Sequence, residues 1–207
     1  MVRSAASDRK LTVILQEYMK SLKLLCGFSY VSAAAILEPD EEAVRYFLVF
    51  GTNHLRGIEV FKNAEQAAAR MQDKVRFETI FGRKAQGEFT LGASTPKTRI
   101  VYQLRDRNVT EAMENVIKEI LDFPKNRNIS YRSLFARAME FPLVTPDDLA
   151  NGLKSLPSIQ LCIDGKHRVP SVEKDRQDHV LVLDRNALEI QLALLRTRQK
   201  PDQGNLL

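Results

Sequence analysis

No tryptophan occurs in the 207 residues, cysteine occurs twice, histidine three times and glycine nine times. Each scarcity excludes something. Cys26 and Cys162 are too few and too far apart for a disulfide scaffold. MVRSAASDRK at the start has no apolar core of the kind a secretory signal needs. Both cysteines are therefore expected to be reduced and buried, in a cytoplasmic chain. His54, His167 and His179 have no second ligand at metal-binding spacing, so no metal site is expected. Gly51 and Gly57 do not form G-x-G-x-x-G, and the other glycines sit in turns or in a connector, so no nucleotide-type cofactor is expected. There is no G-x-S-x-G and no activated cysteine, hence no expected catalytic residue. No apolar run is long enough to span a bilayer, which removes a membrane from the expected partners.

What is present is ordinary in amount and informative in arrangement. Apolar residues make up 44% and charged residues 28%, as in soluble domains. A net charge of +5 admits an anionic partner such as nucleic acid without requiring one. Behind Asp8, a candidate N-cap, Leu11, Ile14, Leu15, Tyr18, Met19 and Leu22 recur at helical spacing, and Gly27 is the expected stop. FSYVSAAAIL and VRYFLVF, joined by the acidic turn EPDEEA, read as an antiparallel hairpin. The second run is apolar on both faces and reads as a central strand. A helix carrying Ile58, Phe61, Ala64, Ala68 and Met71 follows. Helix, strand, strand, helix is too short a list to close an α/β sheet. The central strand lacks one neighbour: either something is missing or another chain supplies it.

Residues 73–107 lose periodicity. They read as a connection, with a short strand at RIVYQL. Beyond it the pattern sharpens. Asn108 and Glu111 have capping-box spacing before a helix of Val109, Met113, Val116, Ile117, Ile120 and Leu121, stopped by Pro124. ISYRSLFARAMEF gives a second helix, with Leu134, Phe135, Ala138 and Met139 inward. VTPDDLANGLKSL gives a third, capped by Thr145, with Pro146 at its first position and Asp148 closing the box. SIQLCIDGKHRVP and DHVLVL read as a hairpin turning at Asp164-Gly165. Three helices followed by a hairpin is the winged-helix arrangement. Residues 186–198 form a last helix with Leu188, Leu192 and Leu195 on one side, and the tail is expected to be disordered.

The stretch FSYVSAAAILEPDEEAVRYFLVFGTNHLRGIEVFKNA resembles the three-Cys-motif partner family of bacteria. The resemblance is sharpest at Tyr46-Phe47-Leu48, Thr52-Asn53-His54 and Gly57. ISYRSLFARAMEFPLVTPDDLANGLKSL resembles that family's C-terminal winged helix. The resemblance implies a fold in two parts. Residues 1–82 would be the C-terminal remnant of a class I methyltransferase-like α/β domain, with a partial Rossmann-like sheet. Residues 83–107 would be a linker, 108–183 an α+β winged helix-turn-helix domain, and 184–207 a helix with a tail. Family members carry the glycine-rich S-adenosylmethionine turn in a longer N-terminal part, and this sequence has no such turn.

The site readings follow. Thr52-Asn53-His54 is expected to cap the helix beginning near Leu55. Glu38, Asp40, Glu41 and Glu42 read as a solvated acidic turn. Arg127, Arg132, Arg137, Asn151, Lys154, Lys166, His167 and Arg168 are the candidate nucleic-acid contacts, the last three at the hairpin tip. Asp147 and Asp148, at the start of the third helix, act against phosphate contact there. The expected function is a non-catalytic nucleic-acid-binding or adaptor component of a three-Cys-motif partner system. The alternatives are one half of a split S-adenosylmethionine-dependent methyltransferase, or a protein-docking winged helix. The implied partners are DNA, the radical-enzyme-like three-Cys-motif protein, and a complementary N-terminal chain or a second copy.

Overall fold

In the computed structural model the described residues are 5–38, 43–81, 99–124, 128–163, 170–172 and 178–198. Among them lie six helices and two small antiparallel sheets, a mixed α and β architecture. The chain divides into two compact units. One is Met1–Asp106 with Phe141–Leu143, the other Arg107–Glu140 with Val144–Leu207.

The first unit is built on a two-stranded sheet. Helix α1 runs Ala5–Cys26, strand β1 Tyr30–Leu37, strand β2 Val44–Thr52 and helix α2 Leu55–Phe81. Asp8 lies inside α1 rather than at its cap. Gly27 ends that helix with φ +71°, and its N–H donates to the Lys23 carbonyl at 3.1 Å. This left-handed stop carries no Cβ penalty in glycine. The strands pair from Tyr30↔Thr52 to Ile36↔Tyr46. Leu15 and Met19 of α1 pack on Val31 and Ala33. Phe61 of α2 stacks on Phe50, with ring centroids 5.0 Å apart. The run Ala33-Ala34-Ala35 has side chains small enough to let packed elements approach closely, and all three are buried.

This reverses one expectation. β1, not β2, is the strand covered on both faces. Tyr46 and Leu48 of β2 are 54% and 53% exposed. The sheet has only two strands among the described residues, so nothing in it lies beyond β2. α1 also departs from the expected single stripe: Leu15 and Met19 are buried while Ile14 and Tyr18 face solvent.

α2 departs further. Of its expected apolar stripe, Met71 is 63% exposed, and Ala64 and Ala68 are exposed too. Its buried side includes Ile58 but also Lys62, Glu65, Asp73 and Arg76. The cause is the surface it covers. Along the outer edge of β1 the Leu37 N–H donates to Gln72 Oε1 at 2.8 Å, and the Ala35 N–H donates to Glu65. A strand edge presents unpaired peptide groups, and burying it requires polar partners.

Helix α3 spans Arg99–Asp122. The expected strand at RIVYQL is therefore helical, and residues 99–107 belong to α3 rather than to a linker; residues 83–98 lie outside the described residues. Asn108 is 2% exposed inside the helix, and so is not its cap. No glycine or proline interrupts residues 99–107. Val101 and Leu104 at i, i+3 pack with Leu37 and Leu143, which extends the helical stripe backwards.

In the second unit, α3 continues to strand β3 (Ile129–Ser130), helix α4 (Tyr131–Ala138), helix α5 (Pro146–Lys154), strand β4 (Ile159–Cys162), strand β5 (His179–Val182) and helix α6 (Arg185–Arg198). The sheet order is β3-β5-β4, antiparallel throughout. Val116, Ile117, Leu134, Phe135, Leu149, Leu153, Val180 and Leu188 form its core. Gly152 seats α5: a Cβ there would come within 2.6 Å of the Met113 sulfur. The cysteines are not buried as expected. Both are free, Cys26 exposed where the last turn of α1 meets solvent and Cys162 half-buried at the end of β4.

Candidate nucleic-acid interface

α5 begins with a complete N-terminal cap. Thr145 Oγ1 accepts from the Asp148 N–H at 3.2 Å, the Thr145 N–H donates to Asp148 Oδ2 at 2.9 Å, and Pro146 occupies the first turn. This is the capping box the sequence predicts, and it gives Asp148 a structural task. Leu149, Ala150 and Leu153 turn inward. Asp147, Asn151, Lys154 and Ser155 are exposed, at i, i+4, i+7 and i+8, on one face. That face offers one cation, one carboxylate, one amide and one hydroxyl.

The arginines of α4 are differently employed. The guanidinium of Arg132 donates through Nη1 to the Val172 carbonyl. The Ser171 N–H donates to Asp178 Oδ2 at 2.7 Å, and the Tyr131 N–H donates to the Asp178 carbonyl at 2.8 Å. Together these fix the segment 170–172 against the start of α4. Arg137 donates to Asn115 Oδ1 at 2.9 Å and to Glu140 Oε2 at 3.2 Å. Both arginines thus hold the second unit together, and only what remains of their exposed surface is open to a partner. Arg127, Lys166, His167 and Arg168 lie outside the described residues, as do Asp40, Glu41 and Glu42. Of the eight candidates, the structure brings Asn151 and Lys154 together on one open face.

Thr52-Asn53-His54 is a corner. The His54 N–H donates to Thr52 Oγ1 at 3.1 Å, just ahead of α2, and the Gly57 N–H donates to the His54 carbonyl at 2.8 Å. Asn53 does something other than cap: its Oδ1 accepts from the Ser29 N–H at 2.8 Å and the Ser29 hydroxyl at 3.1 Å, tying the two ends of the hairpin. Among the described residues no cluster of three or more histidine, cysteine, aspartate or glutamate side chains is arranged to hold a metal ion. No helix is long and apolar enough to cross a membrane, again among the described residues.

Sequence reasoning missed a polar interior site, which lies in the first unit. Lys62 Nζ donates to Glu65 Oε2 at 2.6 Å and to the Phe141 carbonyl at 2.7 Å, and the Leu143 N–H donates to Glu65 Oε1 at 2.9 Å. The two side chains are 0% and 4% exposed. Leu143 takes φ 63°, the left-handed region that a bulky residue rarely adopts. Its buried side chain and its hydrogen bond to Glu65 hold it there. The polar stripe was visible in the sequence. Its inward orientation was not, because the apolar stripe beside it on α2, which shares Ile58 with the buried side, is equally periodic.

Burial raises the Glu65 carboxyl above its ordinary value of 4.5. The Lys62 ammonium and the amides of Leu143 and Ala35 oppose the shift. A raised value means that the folded chain holds this proton more tightly than the unfolded chain. The stability linked to it is fully present below pH 4.5 and is lost as pH rises through the raised value. Measured by urea unfolding, the stability of the native chain minus that of Glu65→Gln is therefore expected to fall as pH rises above 4.5, then to level off. A difference that is flat across that window contradicts the assignment.

No protein-family model, curated protein or solved structure matches the chain.

Proposed function

We propose that the second unit is a winged helix and that the chain acts through it as a non-catalytic nucleic-acid-binding or adaptor component. The observation that carries this reading is the order α3-β3-α4-α5-β4-β5 with sheet order β3-β5-β4. In a winged helix the third helix is the reading element and the hairpin its flank. Here the third helix is α5, with Asn151 and Lys154 outward, and the hairpin connection contains Lys166, His167 and Arg168. The net charge of +5 suits a polyanion. The resemblance to the three-Cys-motif partner family, carried by Tyr46-Phe47-Leu48, Thr52-Asn53-His54 and Gly57, makes a three-Cys-motif protein a candidate partner. On this reading the first unit corresponds to the end of a methyltransferase-like domain.

The balance between phosphate contact and protein docking turns on α5. Asp147 shares its open face with Lys154, and two basic side chains of α4 are engaged inside the unit. Binding is therefore expected to be modest and to depend on Lys166, His167 and Arg168. A gel-shift with duplex DNA across a salt series tests this. Affinity is expected to fall steeply with salt, with a log–log slope that drops by about 1 when Lys154 is replaced by alanine. No shift at low salt, or affinity indifferent to salt, removes the nucleic-acid reading and leaves the docking one.

A further inference from the structure

The two edges of the first unit's sheet are treated differently. The β1 edge is closed by α2, through Glu65 on Ala35 and Gln72 on Leu37. β2, nine residues long, has no further strand beside it among the described residues, and none of its residues is fully buried. Soluble proteins commonly guard such an edge with lysine, proline, a bulge or a short strand. Between Val44 and Thr52 the chain carries one charge, Arg45, and no proline. The one irregularity in the β1–β2 ladder lies at its end, between Ile36 and Leu37.

We infer that β2 is the interface through which two copies of this chain pair, antiparallel about Leu48, into a continuous four-stranded sheet. The register follows from the strand itself. Full overlap of Val44–Thr52 with its own reverse places Leu48 opposite Leu48 of the second copy, Phe47 opposite Val49 and Tyr46 opposite Phe50. Side chains directly opposite point to the same face, about 5 Å apart. Tyr46 and Leu48, left more than half exposed by the single chain, are the ones this pairing brings against apolar partners. Charge agrees with the register: Arg45 falls opposite Gly51, so no like charges meet. Closure favours a dimer over a filament. Symmetric antiparallel pairing uses the same edge in both copies, and the β1 edge is already covered, so no strand of this sheet is left to recruit a third chain. A sheet of four strands also lifts the hairpin out of the range in which two strands alone are marginal.

This inference is independent of the winged-helix reading, and its test does not involve nucleic acid. Sedimentation equilibrium of the full chain is expected to give a concentration-dependent dimer. Leu48→Lys places two cations on the two-fold axis and is expected to raise the dimer dissociation constant about 100-fold. Tyr46→Lys, opposite Phe50, is a second probe. Both positions are half exposed in the single chain, and far-UV circular dichroism checks that each variant folds. Ile190→Lys, at a still more exposed apolar position on α6, is expected to leave the dimer intact. Mixing Leu48→Lys with Leu48→Asp is expected to restore association, as a heterodimer. A chain monomeric at every concentration overturns the inference, whether or not it captures a strand from another polypeptide. So does a dimer indifferent to both lysine variants, or a Leu48→Lys with Leu48→Asp mixture that stays monomeric.

Discussion

Replacing Lys62 with methionine is expected to destabilise the chain by about 3–5 kcal/mol, the usual cost of removing one partner from a buried ion pair. The variant leaves the Glu65 carboxylate buried without its cation and the Phe141 carbonyl without its donor. Methionine fills much of the vacated volume, so the loss reports charge and hydrogen bonding more than a cavity. The double variant Lys62→Met with Glu65→Leu is expected to recover only part of the loss. Two apolar groups can replace an isolated buried pair at little cost. This pair also serves backbone groups of Phe141, Leu143 and Ala35, and the double variant leaves those unsatisfied. Urea unfolding of the four chains gives the coupling directly. Full recovery in the double variant shows that the backbone contacts contribute little.

The second large effect lies in the other unit. Phe135→Ala is expected to cost about 3–5 kcal/mol. Phe135 is 2% exposed, beside Tyr131 at 1% and Leu134 at 0%. Its ring sits 6.2 Å from that of Tyr131 at a tilt of 51°. Tyr131 opens α4, where its N–H reaches the Asp178 carbonyl. The cavity therefore opens beside the Tyr131 ring, in the first turns of α4. Thermal unfolding measures the loss; a change under 1 kcal/mol would mean that the site collapses freely around the missing ring.

The sequence was legible wherever local chemistry decides. The capping box at Thr145 and Asp148, the Pro146 start, the Gly27 stop and the inward faces of α4, α5 and α6 are all set by residues within a turn or two of one another. Reading failed where a distant surface decides. α2 has an apolar stripe and a polar stripe of similar regularity, and the choice between them is made by the edge of β1, whose peptide groups need polar partners. β2 reads as a central strand because its side chains are apolar on both faces, but neighbours come from topology rather than composition. Asn108 has capping-box spacing to Glu111, yet the helix continues past it, because Val101 and Leu104 find a core to join. Of the candidate site, the open face of α5 was legible. The internal employment of Arg132 and Arg137 was not, since Val172 and Asn115 lie far from them in sequence.

The membership of Phe141–Leu143 in the first unit has a consequence for synthesis. A ribosome delivers residues 1–106 first, and a domain made of contiguous chain can fold as soon as it has emerged. This one cannot finish then, because the carbonyl that Lys62 holds and the amide that Glu65 holds are still to be translated. α3, β3 and α4 must all leave the ribosome before those groups arrive. A gene cut at the apparent boundary near residue 106 thus yields an N-terminal product with its buried ion pair unfinished.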